Sequence, residues 1–450
     1  MEELPAELII SIGQLVEKYT LCSLVRCCQR LYDILQPLFY SELRLTPPLT
    51  ASYTSLVIRL WQRPDLASLV RHAEIHFPIS VIHPSYLFDH DKGSEVEDFV
   101  DGVLNAMWDL KERRPRDMLK EGLRNGRWGS WMGVLFTRLT HLQTIEFVGF
   151  YNNQTISDMI NRAGNRQRPF DAALPYPHLR QISIRECERG FNLEALTPFF
   201  YFPAVETVDV AQMWEGRGRD NSSEGRRKPG HASCPVKRII VRSLKQSRGT
   251  LTWLADCTGL EHISVRIACT FVGLPETRFG VPFNPARFLQ ALLPFTRTLK
   301  SLHVEYDELY NSLLNSDGSL DLFYEDIFWL TEDEQKLDHC NAPVGSLRGF
   351  EVLEAISLRH ANLLPPVSDD RTKSQGILVD RLPKSLRTLR VFDIVQSLCA
   401  DLLWELSVLV TTHDAFPHLK EIYLQGKAID EVALRSLQFH CEATGISLTY

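Results

Sequence analysis

Several features are missing from this sequence, and each absence excludes a class of protein. No apolar run reaches the roughly 20 residues that span a bilayer, and the acidic start Met-Glu-Glu-Leu-Pro is unlike the basic start of a secretory signal. An excess of basic charge is also missing, because the net charge is −7. We therefore predict no membrane partner and no nucleic-acid partner. We expect the protein in the cytoplasm and/or the nucleus.

Paired cysteines and catalytic motifs are missing too. The 10 cysteines are scattered without the spacing of a disulfide framework or zinc site, which is typical of reduced, buried thiols. The histidines of His72-x-Glu74-x-His76 are four residues apart, as in a zinc-protease box, but the glutamate is in the wrong place. The segment also alternates like a strand, so this spacing does not put the two histidines on one helix face. No phosphate loop, nucleophile elbow or kinase set is present. We predict a non-catalytic chain without cofactor or metal, although an enzyme with a deep pocket of converging titratable groups stays open as an alternative.

A short motif recurs along most of the chain: apolar, two free positions, apolar, one free position, apolar. Clear copies occupy residues 142–147, 179–184, 205–210, 236–241, 260–265, 299–304, 353–358, 386–391 and 419–424. A degenerate copy at 70–75 precedes them, and 446–448 closes the series. This pattern is the strand signature of a leucine-rich repeat.

Helical stretches separate the copies. We predict them at residues 193–200, 251–255, 287–293, 394–410 and 431–440, and an amphipathic helix at 95–110. Strand then helix, repeated in one direction, requires parallel strands with the helices outside them. The predicted fold class is therefore α/β, an irregular leucine-rich-repeat solenoid with parallel strands on its concave side and helices on its convex side. Most copies lie further apart than the roughly 20–29 residues of regular repeats, so we expect insertions.

The first forty-five residues follow another pattern. Pro5 suits the first position of a helix, and Leu8, Ile12 and Leu15 then recur at helical spacing. Two more short helices follow, and Pro37 is expected to end the third. Three helices of this composition carry more apolar surface than so small a unit can cover. Something else must therefore cover the remainder.

This stretch resembles an F-box, whose pattern is Leu-Pro-x-Glu, an apolar helix and a run like Val-Cys-Lys-Arg-Trp-Tyr. The matching residues are Leu4, Pro5, Glu7, Cys28, Arg30 and Tyr32. The resemblance implies docking onto a Skp1-type adaptor, and through it onto a cullin–RING ubiquitin ligase. It implies adaptor-facing or supporting roles for Leu4, Pro5, Glu7, Leu8, Ile12, Leu24, Val25, Cys28, Leu31 and Tyr32.

The chain as a whole resembles F-box proteins of the fungal type with a leucine-rich-repeat-like region. That resemblance implies a substrate-recognition subunit of an SCF-type E3 ubiquitin ligase, in which the repeats bind the target protein. Free positions in the repeated motif would face the target. The candidates are Arg185, Arg238, Arg242, His262, Arg266, His303, Arg359, Arg390 and Tyr423. Because arginine and histidine dominate this set, we hypothesise an acidic or phosphorylated target segment; a mixed solvated surface is the alternative.

The predicted domains are an F-box-like helical domain at 1–45, a linker with a degenerate repeat and a helical insertion at 46–140, and the solenoid at 141–450. We expect disorder at 215–232 because that stretch is rich in Gly, Ser, Arg and Lys. The acidic, aromatic insertion at 305–338 has two interpretations, a segment that covers the array or binds a basic partner, and an extra packed helix with a solvated face. A second function stays open, in which the N-terminal helices only cap a repeat scaffold that has no ligase link.

Overall fold

The computed structural model describes residues 4–78, 93–108, 112–150, 153–185, 191–192, 197–214, 234–245, 247, 249, 251–268, 283–307, 342–364, 376–394, 396–426, 429 and 431–450. The chain divides into two compact units. Unit 1 is Met1–Val208 with Lys228–Pro235, and unit 2 is Asp209–Arg227 with Val236–Tyr450. The loop predicted at 215–232 lies outside the described residues, as does the predicted acidic insertion from residue 308 onward.

Three helices open unit 1, as the sequence predicts. They are α1 (Ala6–Leu15), α2 (Lys18–Val25) and α3 (Gln29–Ser41). The predicted helix end at Pro37 is wrong, because Pro37 lies inside α3. A proline removes one backbone hydrogen bond from a helix, but burial of Leu35 and Tyr40 on either side holds the last turn in place. The helical part ends at Ser41, and the residues up to Leu45 already form the first strand.

The rest of unit 1 alternates strands with helices. The strands are β1 (Glu42–Leu45), β2 (His72–His76), β3 (Thr144–Val148), β4 (Gln181–Arg185), β5 (Phe191–Asn192) and β6 (Thr207–Val210), the last crossing the unit boundary. The helices are α4 (Ala51–Gln62), α5 (Pro64–Ala67), α6 (Gly93–Met107), α7 (Arg113–Arg124), α8 (Trp128–Arg138) and α9 (Gln154–Gly164), with a 3-10 helix at Thr197–Tyr201. Strands β1 to β4 pair in chain order through parallel ladders.

Unit 2 repeats the same alternation. Its strands are β7 (Met213–Trp214), β8 (Arg238–Lys245), β9 (His262–Ile267), β10 (Ser301–Tyr306), β11 (Ala355–Arg359), β12 (Thr388–Phe392), β13 (Glu421–Leu424) and β14 (Ser447–Thr449). Its helices are α10 (Pro285–Leu292), α11 (His360–Leu363), α12 (Ile377–Arg381), α13 (Cys399–Thr411) and α14 (Glu431–Thr444), with 3-10 helices at Thr252–Asp256, Leu293–Phe295, Gln396–Leu398 and His413–Ala415. Strands β8 to β14 also pair in chain order and in parallel.

The recurring motif explains these ladders. Its three apolar positions are buried in every clear copy, as Leu142, Ile145 and Phe147 illustrate. Equivalent positions lie opposite each other in neighbouring strands, for example Ile145 opposite Ile182 and Ile263 opposite Leu302. Because alternate side chains of a strand point to one face, this register stacks equivalent apolar side chains of successive strands on one another in the core. The α/β fold with parallel strands and repeat-like strand–helix units, compatible with a leucine-rich-repeat arrangement, is confirmed.

Several predicted helices are present with altered ends or a tighter form. The stretch predicted at 251–255 is the 3-10 helix Thr252–Asp256. The stretch predicted at 394–410 starts with a 3-10 turn and continues as α13. The helix predicted at 95–110 corresponds to α6, which buries Phe99 and Val100.

Two further predictions concern membranes and thiols. No helix within the described ranges is both long enough and apolar enough to cross a membrane. Cys234, Cys257, Cys399 and Cys441 are buried free thiols, as the sequence predicts. The other described cysteines are not buried, since Cys22 is partly exposed and Cys27 and Cys28, just before α3, are exposed.

Candidate protein-interaction sites

The N-terminal helices enclose a small apolar core of their own. Its buried members are Ile9, Leu21, Val25, Leu31 and Leu35. Helices α1 and α3 approach closely, since a Cβ on Gly13 would lie 2.6 Å from a methyl carbon of Leu35. The Arg30 guanidinium also donates to the carbonyl oxygen of Leu4 at 2.6 Å, which ties α3 to the residues preceding α1. The core therefore fixes which face of α1 is left outward.

That outward face of α1 is apolar. Leu8 is 50% exposed, Ile12 44%, Leu15 88% and Tyr19, at the start of α2, 83%. Positions 8, 12 and 15 are four and three residues apart, so they lie on one side of the helix. We call these four residues the apolar stripe. Contiguous exposed apolar side chains of this size are typical of protein-binding surfaces.

The residues predicted to face or support an adaptor fall into three groups. Pro5, Glu7, Leu8, Ile12 and Cys28 are exposed, while Leu4, Leu24 and Tyr32 are partly buried. Val25 and Leu31 are buried in the helical core, so these two can support an adaptor surface but cannot contact an adaptor.

Two members of the apolar stripe, Leu15 and Tyr19, are absent from the predicted adaptor set. The helical spacing includes Leu15, but α1 is apolar on more than one side, as buried Ile9 and exposed Ile12 illustrate. Spacing alone therefore does not say which apolar side faces the core.

The second candidate surface is the outward face of the strands in unit 2. The parallel register sets free motif positions side by side across neighbouring strands. His303 lies opposite Ser357, Ser357 opposite Arg390, and Arg390 opposite Tyr423. In the row beside them, Arg238 lies opposite His262. Five candidate target-binding residues from separate repeats thus belong to two adjacent rows.

Most arginines on the strands are already paired with acids. Arg242 donates two hydrogen bonds to the carboxylate of Asp209, at 3.0 and 2.7 Å. Arg266 donates two to one oxygen of Glu305, at 3.2 and 2.9 Å. In unit 1, Arg185 pairs with Glu146 at 3.0 Å. These guanidiniums are less available to an acidic target than the sequence alone predicts.

The pKa values of two side chains follow from this arrangement. Burial alone would raise the pKa of Glu305, but the hydrogen bonds from Arg266 and the nearby His303, at 2.8 Å, outweigh it and lower that pKa. Burial lowers the pKa of His262, and the charge of Arg238 lowers it further. Both effects disfavour the charged form of His262.

Arg238 and Arg390 differ from the other strand arginines. Both are exposed, and within the described ranges neither has a carboxylate in ion-pair distance. The guanidinium carbon of Arg390 lies 5.8 Å from the ring centroid of Tyr423, which is 38% exposed. A cation beside an exposed aromatic ring is a common element of recognition surfaces.

Arg359 occupies a free motif position but is not exposed. Its side chain is only 1% exposed, and its Nε lies 3.7 Å from Asp393. The guanidinium carbon is 4.9 Å from the ring centroid of Tyr306. The predicted target-facing role of Arg359 does not agree with this burial, because adjacent side chains enclose it at the end of β11.

Potential metal ligands do not cluster in the part of the chain that is described. There, no three His, Cys, Asp or Glu side chains come together in a group that could hold a metal ion. His76 instead forms a 2.5 Å contact with Glu74, which also pairs with Arg44 at 3.2 Å. The absence of cofactor, metal and catalysis stays a prediction.

Comparison with known proteins adds no family. No family model matches the chain, and no curated protein is significantly similar to it. What the structure defines is therefore a class, an α/β protein with N-terminal helices followed by parallel strand–helix repeats.

Proposed function

We propose that this protein is the substrate-recognition subunit of an SCF-type E3 ubiquitin ligase. In this proposal, helices α1 to α3 dock onto a Skp1-type adaptor, and the outward face of the strands binds the target protein. The observation that carries the proposal is the apolar stripe, because it lies within the stretch that resembles an F-box.

A partner that covers the apolar stripe removes apolar area from water, which favours binding. Full burial of one Leu or Ile side chain contributes about 1.5–3 kcal/mol. Leu8 and Ile12 are already about half buried, so a partner that covers the three side chains would gain only part of this amount from each of those two and most of it from Leu15, before losses of motional freedom are subtracted. The core beneath the stripe holds α1 in place, so little ordering is needed on binding.

The adaptor experiment compares three forms of the full-length chain co-expressed with a Skp1-type adaptor. We expect the wild type to co-purify with the adaptor and Leu8→Asp to lose it. The matched control is Leu174→Asp, because Leu174 is a leucine of 49% exposure outside the N-terminal helices. Capture that is absent in the wild type, or unchanged by Leu8→Asp, would support the alternative of a repeat scaffold with capping helices.

For the target, we propose that an acidic or phosphorylated segment binds near Arg238 and Arg390. Among the described residues neither guanidinium takes part in an ion pair, so each can bind a carboxylate or phosphate there without breaking one. The test is recovery of target proteins by the double variant Arg238→Glu/Arg390→Glu. Loss of targets is expected there but not for Arg297→Glu, an exposed arginine outside the strands. Equal recovery by all three would refute the acidic-target hypothesis and leave the adaptor proposal intact.

A further inference from the structure

Two arginines on the strands of unit 2 are placed so that one target segment could contact both. Arg238 lies on β8 and Arg390 on β12, and both side chains are exposed. Both residues belong to the same compact unit, so the strand ladders between them fix their relative position. The distance between them therefore limits which segments can reach both.

The register of the ladders gives this distance. One row of free motif positions crosses β8 to β12 and consists of Arg238, His262, Ser301, Ala355 and Thr388. Arg390 follows Thr388 by two positions on β12 and so lies on the same face. Neighbouring strands lie about 4.8 Å apart and a strand rises about 3.3 Å per residue, so the Cα atoms of Arg238 and Arg390 lie about 20 Å apart.

The strands between the two arginines add little net charge. Four of their free positions are small and uncharged, namely Ser264, Ser301, Ala355 and Ser357. Arg266 is balanced by Glu305, to which it donates two hydrogen bonds. The positive charge available to a target is therefore concentrated at the two ends, with small neutral side chains between them.

We propose that this face selects an extended target segment that carries two anionic groups about six residues apart. The inference rests on the target-binding role proposed above for the strands. An extended chain rises about 3.3 Å per residue, so about six residues match the separation of Arg238 and Arg390. The segment crosses β8 to β12, and each of its anionic groups, a carboxylate or a phosphate, accepts paired hydrogen bonds from one guanidinium.

Two linked contacts are needed because one exposed ion pair contributes little. Water and salt screen a single pair between a guanidinium and an anion at the surface. Once one anionic group is bound, the second is held near the other arginine, which raises its effective concentration there. Groups that are too close together cannot reach both arginines, and groups that are too far apart lose this advantage. Affinity should therefore be highest at the matching spacing.

The first test measures binding of labelled synthetic peptides to the purified full-length chain by fluorescence anisotropy. Each peptide has a proline-rich, extended backbone and two phosphoserines at half, equal to or twice the predicted spacing. The matched peptide should bind roughly tenfold more tightly than the other two. Arg238→Gln and Arg390→Gln should each abolish this preference, whereas Arg297→Gln, at an exposed arginine outside the strands, should keep it.

The same peptides with aspartates in place of the phosphoserines distinguish the two kinds of anion. They should show the same preferred spacing, and the relative affinity of the two forms shows which anion the face favours. A different preferred spacing for the aspartate peptides would contradict a separation set by the two arginines.

The second test moves one of the two arginines. Ser301 is partly exposed and lies in the same row as Arg238, two strands nearer to β12. The double variant Arg238→Gln/Ser301→Arg should therefore shift the preferred spacing to about half, and circular dichroism checks that it is folded. A preference that does not move, or equal affinity at all spacings, overturns the two-point inference and leaves the acidic-target hypothesis in place. No binding of any peptide by the wild type overturns both, while adaptor capture tests the ligase proposal separately.

Discussion

Helices α1 and α8 are alike in length, at 10 and 11 residues, but differ completely in their surroundings. Every residue of α8 from Trp128 to Thr137 is buried, whereas α1 buries only Ile9 and Gly13. Helices α4, α7 and α9 pack around α8, while α1 rests mainly on α3. The chain can therefore enclose an apolar helix when its own elements surround it. The exposed stripe on α1 is accordingly a surface suited to another molecule.

The largest effect on the free energy of unfolding is expected for a substitution in the enclosed helix α8. Trp131 is fully buried in α8, donates its indole N–H to the Leu123 carbonyl at 3.0 Å and stacks on Phe99 at 5.3 Å. Trp131→Ala should lower the free energy of unfolding by about 3–5 kcal/mol, because it leaves a large cavity. Denaturant titration measures this loss. A decrease below about 1 kcal/mol would mean that α8 is far less tightly packed than described.

Burial of a titratable side chain should also make the free energy of unfolding depend on pH. Burial, helped by the charge of Arg359, lowers the pKa of His360 from 6.5 to about 4. Below pH 6.5 the unfolded chain binds a proton at His360 that the folded chain does not. The free energy of unfolding should therefore fall by about 3 kcal/mol in total as pH drops from 6.5 to 4.

The control for this pH effect is His360→Gln, which removes the titrating imidazole. Unfolding measured at neutral and mildly acidic pH should show a smaller loss of stability in the variant than in the wild type. Identical pH slopes would contradict the assignment. The apolar stripe, by contrast, contains no histidine, aspartate or glutamate.

A smaller effect is expected for the half-buried ion pair on the strands. The Asp209 side chain is 10% exposed, and it binds Arg242 through two hydrogen bonds. A double-mutant cycle with alanine at both positions should give a coupling energy of about 1 kcal/mol. The exposed pair Arg297–Glu351 should give about 0.3 kcal/mol or less. Equal coupling in the two pairs would show that burial does not strengthen the first.

The smallest stability effect is expected in the stripe itself. Leu15→Ala removes a side chain that is 88% exposed, so the free energy of unfolding should change by less than about 0.5 kcal/mol. Thermal or denaturant unfolding of the isolated protein checks this. A loss comparable to that of Trp131→Ala would mean that Leu15 packs against its own chain, and the contrast between α1 and α8 would disappear.

The alternation of strands and helices could be predicted from the sequence because the buried positions of each strand are encoded within a few neighbouring residues. Each strand carries its own apolar positions, as in Leu419, Ile422 and Leu424, and these are buried as predicted. Pro37 shows the limit of a local rule, since packing on both sides of it continues α3 through the proline.

The candidate surfaces could be predicted only in part, because they depend on contacts distant in sequence. Arg242 and Asp209 are 33 residues apart, and Arg266 and Glu305 are 39 apart, so their pairing follows from strand register. A register irregularity between Val241 and Leu244 also sits beside Arg242. Likewise, which apolar side of α1 faces outward depends on where α3 packs.

The most direct test of the central claim is the affinity of the purified full-length chain for a purified Skp1-type adaptor. We expect measurable binding by the wild type and by Leu174→Asp. We expect Leu8→Asp to bind the adaptor roughly thirtyfold more weakly or not at all, with an unchanged free energy of unfolding. Equal affinity of the wild type and Leu8→Asp, or no binding by a folded wild type, would contradict the claim that the apolar stripe is an adaptor-docking surface.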